Sequence, residues 1–247
     1  MSKKKKRQQR SKTQHIKDQN QIENELLDRE FAHTIKSPKK PKRARFEPKT
    51  QTQGLYTSSI VCNQLTFGTG PAGTGKTFVA SAIAAEMLQN GDIEKIVITR
   101  PAVQIEEDHG ALPGELDEKF DPYLQPFIDA FEKLMGKSKV EYLRKRKVID
   151  ARPLAYMRGS NFDDAFVILD EAQNCTPKQM KMFLTRICEN SRVVVNGDID
   201  QVDIKGPSGL NDAIHRFDGM KGASVIEFDE DDVVRSGIVR EILKRYR

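Results

Sequence analysis

From residue 46 onward, short apolar runs alternate with stretches whose apolar positions recur at helical spacing. The runs at 65–68, 95–99, 166–169, 192–196 and 224–228 are continuous, which predicts strands. Between and after them, 75–89, 122–134, 177–188, 208–217 and 234–246 carry the spacing of helices. Strand and helix in strict turn imply crossover connections, so the fold class expected is α/β, one domain around a mainly parallel sheet. Ahead of it, residues 21–35 set Ile22, Leu26, Leu27 and Phe31 at helix-like intervals, a short helix followed by the basic, proline-bearing run KSPKKPKRARF.

The first strand leads into FGTGPAGTGKTFVAS, residues 67–81. Four glycines precede one lysine and one threonine, and the composition then turns to alanine-rich helix. The segment 70–77 fits G-x-x-x-x-G-K-[ST] with a strand before it and a helix after it, the context that pattern requires. Glycines allow consecutive main-chain N–H groups to face a phosphate, and the helix N-terminus adds its dipole. Gly70, Pro71, Ala72, Gly73, Thr74 and Gly75 are therefore expected to cradle the phosphates of a nucleoside triphosphate. Lys76 is expected to reach the β- and γ-phosphates, and the Thr77 hydroxyl to hold Mg²⁺.

A phosphate cradle needs a carboxylate for the metal on a neighbouring strand. FVILDEAQN, residues 166–174, delivers Asp170 and Glu171 at the C-terminal end of a buried strand, where ligands of parallel sheets bind. Asp170 is the expected partner of Mg²⁺, and Glu171 the group that polarises an attacking water. VVVNGDIDQVD, residues 193–203, is a third strand ending in polar residues. Its Gln201 is either a γ-phosphate sensor or a solvated loop residue. Together these motifs imply binding and hydrolysis of a nucleoside triphosphate.

Charge divides the chain in two. The first 50 residues hold 16 Lys or Arg and 6 Asp or Glu of the 41 and 36 in the whole sequence, which leaves 25 and 30 for residues 51–247. Residues 1–45 are accordingly read as a basic, mostly disordered tail and linker, and 46–247 as the domain. The tail is either a solubilising segment or an anchor for nucleic-acid phosphates. Cys62, Cys175 and Cys188 show neither zinc-ligand nor CxxC spacing. No apolar run approaches the ~20 residues of a membrane-spanning helix. A cytoplasmic protein without membrane association is expected.

Longer segments carry a resemblance. ITRPAV at 98–103, LPGELDEKFDPYLQPFIDA at 112–130, PLAYMRG at 153–159, DEAQN, QMKMFLTRI at 179–187, GDIDQVD and DDVVRS at 231–236 resemble the PhoH family of phosphate-starvation-inducible ATPases. The resemblance runs from about residue 48 to the C-terminus. It implies a single RecA-like P-loop domain, related to the first motor domain of superfamily-one helicases, with the P-loop strand inside the sheet. It also implies ATPase activity associated with RNA. By the same resemblance Gln53, in KTQTQGLY, matches a glutamine that reads adenine, with Tyr56 stacking or packing nearby; an ordinary linker glutamine is the alternative. Arg100 matches a helicase segment that touches single-stranded nucleic acid, the alternative being a structural ion pair. Arg235 matches an arginine that completes a neighbouring subunit's ATP site, the alternative being a salt bridge to Asp231 or Asp232. Ser236 and Gly237 stand where relatives usually have His-Pro, and Asp200 where a small hydroxyl residue is frequent.

Two functions compete on these residues. One is an ATPase motor that remodels single-stranded RNA. Because one domain has no interdomain cleft in which to grip a strand, this reading expects a homo-oligomeric ring, hexameric by resemblance. The other is an ATP-switched binding module with slow hydrolysis. A small-molecule phosphotransferase is disfavoured by Glu171, which suits water as acceptor.

Overall fold

The computed structural model describes residues 25–28, 46–101, 116–234, 237–238 and 245. Twelve elements follow one another there: α1 (Gln51–Cys62), β1 (Leu65–Thr69), α2 (Lys76–Asn90), β2 (Lys95–Thr99), α3 (Leu116–Met135), α4 (Lys137–Lys145), β3 (Ile149–Ala151), β4 (Ala165–Leu169), α5 (Pro177–Leu184), β5 (Arg192–Gly197), α6 (Gly209–Phe217) and β6 (Ala223–Glu227). The strands form one six-stranded sheet in the order β3-β2-β4-β5-β1-β6. Every neighbouring pair is parallel. The P-loop strand β1 lies between β5 and β6, in register Leu65 to Val193 and Leu65 to Ala223. β5 separates it from β4.

Successive strand residues point to opposite faces, and each face is covered. Ile96, Ile98, Phe166, Ile168 and Val194 pack with Tyr56 and Ile60 of α1, Val79 and Ile83 of α2 and Phe127 and Phe131 of α3. Leu65, Phe67, Val97, Val167, Val193 and Val195 pack against Met180 and Phe183 of α5 and Leu210 of α6. Burying a large aliphatic or aromatic side chain contributes ~1.5–3 kcal/mol, so these two apolar layers hold the sheet between helices. Its C-terminal edge is left for loops.

The five expected strands are present within a residue or two. β3, a sixth, is short and pairs only with β2. α1 and α4 lie where no helix is expected. α1 is started by Thr50, whose side chain accepts from the Gln53 N–H, and it buries Tyr56 and Ile60 one turn apart. The expected helix 122–134 begins earlier, at Leu116, and keeps Pro122 and Pro126 inside it. Both prolines are solvent-exposed. α5 stops at Leu184, short of residue 188. The expected helices at 21–35 and 234–246 fall largely outside the described residues, apart from a helical turn at 25–28.

Candidate functional site

β1 ends at Thr69, and the chain turns through Gly70, Gly73 and Gly75 with φ of 125°, 90° and 89°. L side chains rarely adopt such values. The structure gives the glycines a second reason. A Cβ on Gly70 would sit 2.1 Å from the carbonyl oxygen of Phe228, and one on Gly75 would sit 2.8 Å from Gln53 Nε2. The loop is thus pressed between the end of β6 and α1. Gly75 starts α2 without a side-chain cap, so the first N–H groups of that helix face outward for an anion.

Lys76 folds across this loop. Its Nζ donates to Gly70 O at 2.6 Å and Pro71 O at 2.9 Å. Burial pushes the Lys76 pKa below that of an ordinary lysine, against the opposing pull of Asp198, Asp170 and Glu171. Thr77 Oγ1 lies 3.4 Å from Asp170 Oδ1, with Asp170 only 4% exposed at the end of β4. A hydroxyl beside a carboxylate is a hard-oxygen donor pair that suits Mg²⁺, an ion that completes its shell with water and substrate phosphate. Among the described residues no cluster of three or more His, Cys, Asp or Glu forms a self-sufficient metal cage.

Arg100 follows β2 and turns onto the same acid. Its Nε and Nη2 both donate to Asp170 Oδ2, at 3.0 and 2.5 Å. Nη2 is also 4.0 Å from Glu171 Oε1, and the guanidinium lies over the Phe127 ring at 5.9 Å. Of the two readings of Arg100, the ion pair is the one formed in this structure.

Glu171 has left-handed backbone, φ 53°, which for a non-glycine residue is a strained state held by its surroundings. Gln173 ties the Glu171 carboxylate to the loop after β5. Its Nε2 donates to Glu171 Oε2 at 2.7 Å, and its Oε1 accepts from the Asp198 N–H at 3.1 Å. Asn174 does the same for the next turn, donating to Asp203 Oδ2 and accepting from the Asp203 N–H, both at 2.9 Å. The DEAQN segment is therefore bonded to the loop that follows β5. Sequence reading passes over Gln173, Asn174 and Asp198. Asp198 was available to the strand-end argument that finds Asp170, since it also follows an apolar strand.

These groups surround one cleft of about 420 Å³. Of the expected residues, Ala72, Gly73, Gly75, Lys76 and Thr77 line it from the loop side. Asp170, Glu171 and Gln201 face them, and Asp198 joins them. Gly70, Pro71 and Thr74 are not in its wall; the first two turn their carbonyls to Lys76, and Thr74 is fully buried. Gln53 is no linker residue. It sits on α1, 3% exposed, with Nε2 donating to Thr74 O at 2.8 Å and Oε1 accepting from the Lys49 N–H at 2.9 Å. Tyr56 packs beneath β1, fully buried, and its hydroxyl donates to Asn196 Oδ1 at 2.5 Å. Asp200 is exposed and outside the cleft wall. Val234 lines the cleft and donates its N–H to Gly73 O at 3.0 Å; Arg235, the next residue, lies outside the described residues.

The family described as PhoH-like protein matches residues 45–247. The PhoH-like protein of Bacillus subtilis (strain 168) is 47% identical over 241 residues, 90% of this chain and 76% of its own length. Protein PhoH of Escherichia coli (strain K12) is 45% identical over 202 residues; the match takes in 80% of this chain and 57% of that relative. Among solved structures, the UvsW helicase from bacteriophage T4 is 13% identical with a TM-score of 0.48, covering 81% of this chain and 67% of its own. No described helix is long and apolar enough to cross a membrane. On the family match and the identity to these relatives, the chain belongs to the PhoH-like protein family.

Proposed function

We propose that this chain binds ATP with Mg²⁺ and hydrolyses it, as an oligomeric ATPase coupled to remodelling of single-stranded RNA. The observation that carries the ATPase half is the convergence of Lys76, Thr77, Asp170, Glu171 and Gln201 on one cleft at the C-terminal edge of a parallel sheet. Lys76 already donates to two carbonyls of its own loop, so phosphate oxygens replace those partners instead of meeting a free side chain. Thr77 and Asp170 would hold Mg²⁺, which when bound neutralises charge on the transferred phosphoryl group. Glu171, fixed by Gln173, accepts a proton from water as the water oxygen bonds to the γ-phosphorus and the bond to the β–γ bridging oxygen breaks. ADP leaves with the bridging oxygen, and inorganic phosphate with the water oxygen.

Gln53, bonded to Thr74 and Lys49 by one N–H and one lone pair of its amide, would read adenine with the second of each, and Arg100 would touch nucleic acid through Nη1 while Nε and Nη2 stay on Asp170. Arg235 acting across a subunit interface, a hexameric ring and a cytoplasmic location follow from the resemblance. An ATP-switched module with slow turnover is the second reading, favoured by the Arg100 ion pair, which occupies the acid assigned to the metal.

Phosphate release by the wild-type chain, with and without single-stranded RNA, separates the two. Stimulation by RNA supports the motor, and tight binding with negligible turnover supports the switch. Glu171→Gln should bind ATP while losing turnover. Absence of ATP binding by the folded wild-type chain in calorimetry would overturn both.

A further inference from the structure

A second concentration of charge lies away from the cleft. Residues 137–147, KSKVEYLRKRK, carry Lys137, Lys139, Arg144, Lys145, Arg146 and Lys147 against Glu141 alone, in a region of the chain whose acids outnumber its bases. They form α4 and the turn into the edge strand β3. α4 is seated on the core by Val140, and Lys137, Lys145 and Lys147 are exposed. Beside the turn opens a cavity of about 360 Å³. Its floor is apolar, from Ile98, Leu124, Ile128 and Ile149, and Arg144, Lys145 and Lys147 stand on its rim. Glu141 and Asp150 also line it, Asp150 being ion-paired to Arg152.

The basic N-terminal sequence is tied to the same helix. Asp28 Oδ1 accepts from Arg146 Nη1 at 2.6 Å and from the Tyr142 hydroxyl. In the sequence, eight Lys or Arg precede residue 25 and seven lie in residues 29–45.

We propose that α4, the turn at 144–147 and the adjoining cavity form a binding surface for single-stranded RNA, distinct from the ATP cleft. Lysines and arginines on the rim take the phosphates, and the apolar floor takes an unstacked base. The shape argues against a lipid surface: adsorption to a membrane needs apolar side chains standing out among the cations. None of the exposed large apolar residues falls between 137 and 150 among the described residues. The inference deepens the nucleic-acid half of the proposed function and rests on it.

The test is anisotropy of a fluorescein-labelled 20-nucleotide oligouridine with the full, nucleotide-free chain across a salt series. Lys145→Glu/Lys147→Glu should weaken binding by about tenfold or more and flatten the slope of log K against log salt by roughly 1.4, the share of two phosphates on a single strand. The control Lys178→Glu/Lys181→Glu, an equal reversal at exposed positions of α5, should leave both near wild type. Ala151→Leu, which narrows the cavity without changing charge, should remove the preference for oligouridine over an abasic strand of equal length. Binding by the 145/147 variant equal to that of the 178/181 control would overturn this surface while leaving RNA coupling intact. No RNA binding by the wild-type chain would overturn the nucleic-acid half of the proposed function as well. Binding to phosphatidylserine vesicles in place of RNA, lost in the 145/147 variant, would overturn the choice of ligand.

Discussion

Arg100→Gln removes one of two charges that compete for Asp170, and the structure fixes the direction of the result. Both guanidinium contacts fall on Oδ2, at 3.0 and 2.5 Å, while Oδ1 faces the Thr77 hydroxyl at 3.4 Å. A pair of unit charges about 4 Å apart, at an effective dielectric of 20, interacts by ~4 kcal/mol. A divalent ion held by Thr77 and Asp170 therefore meets a carboxylate already compensated by arginine. If half of that interaction returns to the metal when Arg100 is gone, Mg²⁺ affinity in saturating ADP rises by about 30-fold. The same substitution leaves a buried carboxylate without its cation, for which a loss of roughly 3 kcal/mol is expected in metal-free protein. Calorimetric titration of Mg²⁺ into the ADP complex measures the first effect, and thermal unfolding in a chelator the second. The double variant Arg100→Gln/Asp170→Asn should show neither the gain in Mg²⁺ affinity nor that loss of stability. Unchanged or weaker Mg²⁺ binding in Arg100→Gln protein that still binds ADP would refute the competition.

Three further outcomes are expected. Gln173→Ala releases Glu171 and leaves the buried Asp198 N–H without its acceptor, so turnover should fall about tenfold or more and stability by ~1–3 kcal/mol, with ATP affinity nearly unchanged in stopped-assay and calorimetric measurements. Gly70→Ala drives a Cβ to within 2.1 Å of the Phe228 carbonyl at a φ of 125°, and with backbone on both sides the domain should lose roughly 3 kcal/mol or more in urea unfolding. The burial-lowered pKa of Lys76 means that nucleotide affinity should begin to fall at a lower pH than an ordinary lysine would dictate. The sign follows from the cation being the form that binds phosphate, and Lys76→Arg, which stays charged, should abolish that fall in a pH series of dissociation constants.

What the sequence makes legible is what local pattern controls. Strands β2, β4 and β5 contain continuous apolar runs because both faces of the sheet are covered, so each announces itself without reference to its neighbours. β3 does not. Its three residues, Ile149 to Ala151, are a strand because β2 offers unpaired main chain beside them. α4 is hidden for a related reason: four cations and one buried valine in nine residues make a poor amphipathic pattern, and packing through Val140 decides the helix instead. In the site, motif spacing alone picks out Lys76, Thr77 and Asp170, which the fold brings to one cleft. Gln173 and Asp198 acquire meaning only once β4 and β5 lie side by side, since their bond joins residues 25 positions apart.

The two proposed sites share a wall. Pro126 of α3 lines the ATP cleft, Leu124 and Ile128 line the cavity beside α4, and Phe127 between them lies under the Arg100 guanidinium. Elsewhere the cleft is braced. The P-loop is bonded to α1 through Gln53, to β5 through Gly70 N–H to Gly197 O at 3.2 Å, and to the C-terminal segment through Val234. DEAQN is bonded to the loop after β5. Arg100, by contrast, holds its place by charge, on the very acid for which a metal would compete. A movement of Arg100 on arrival of Mg²⁺ and nucleotide would meet Phe127, and a displacement of α3 would then reach the floor of the second cavity. Linkage then makes the coupling reciprocal: whatever factor ATP·Mg²⁺ imposes on RNA affinity, RNA must impose on ATP·Mg²⁺ affinity. Arg100→Gln, which cuts the contact between metal acid and α3, should bring both factors toward one together.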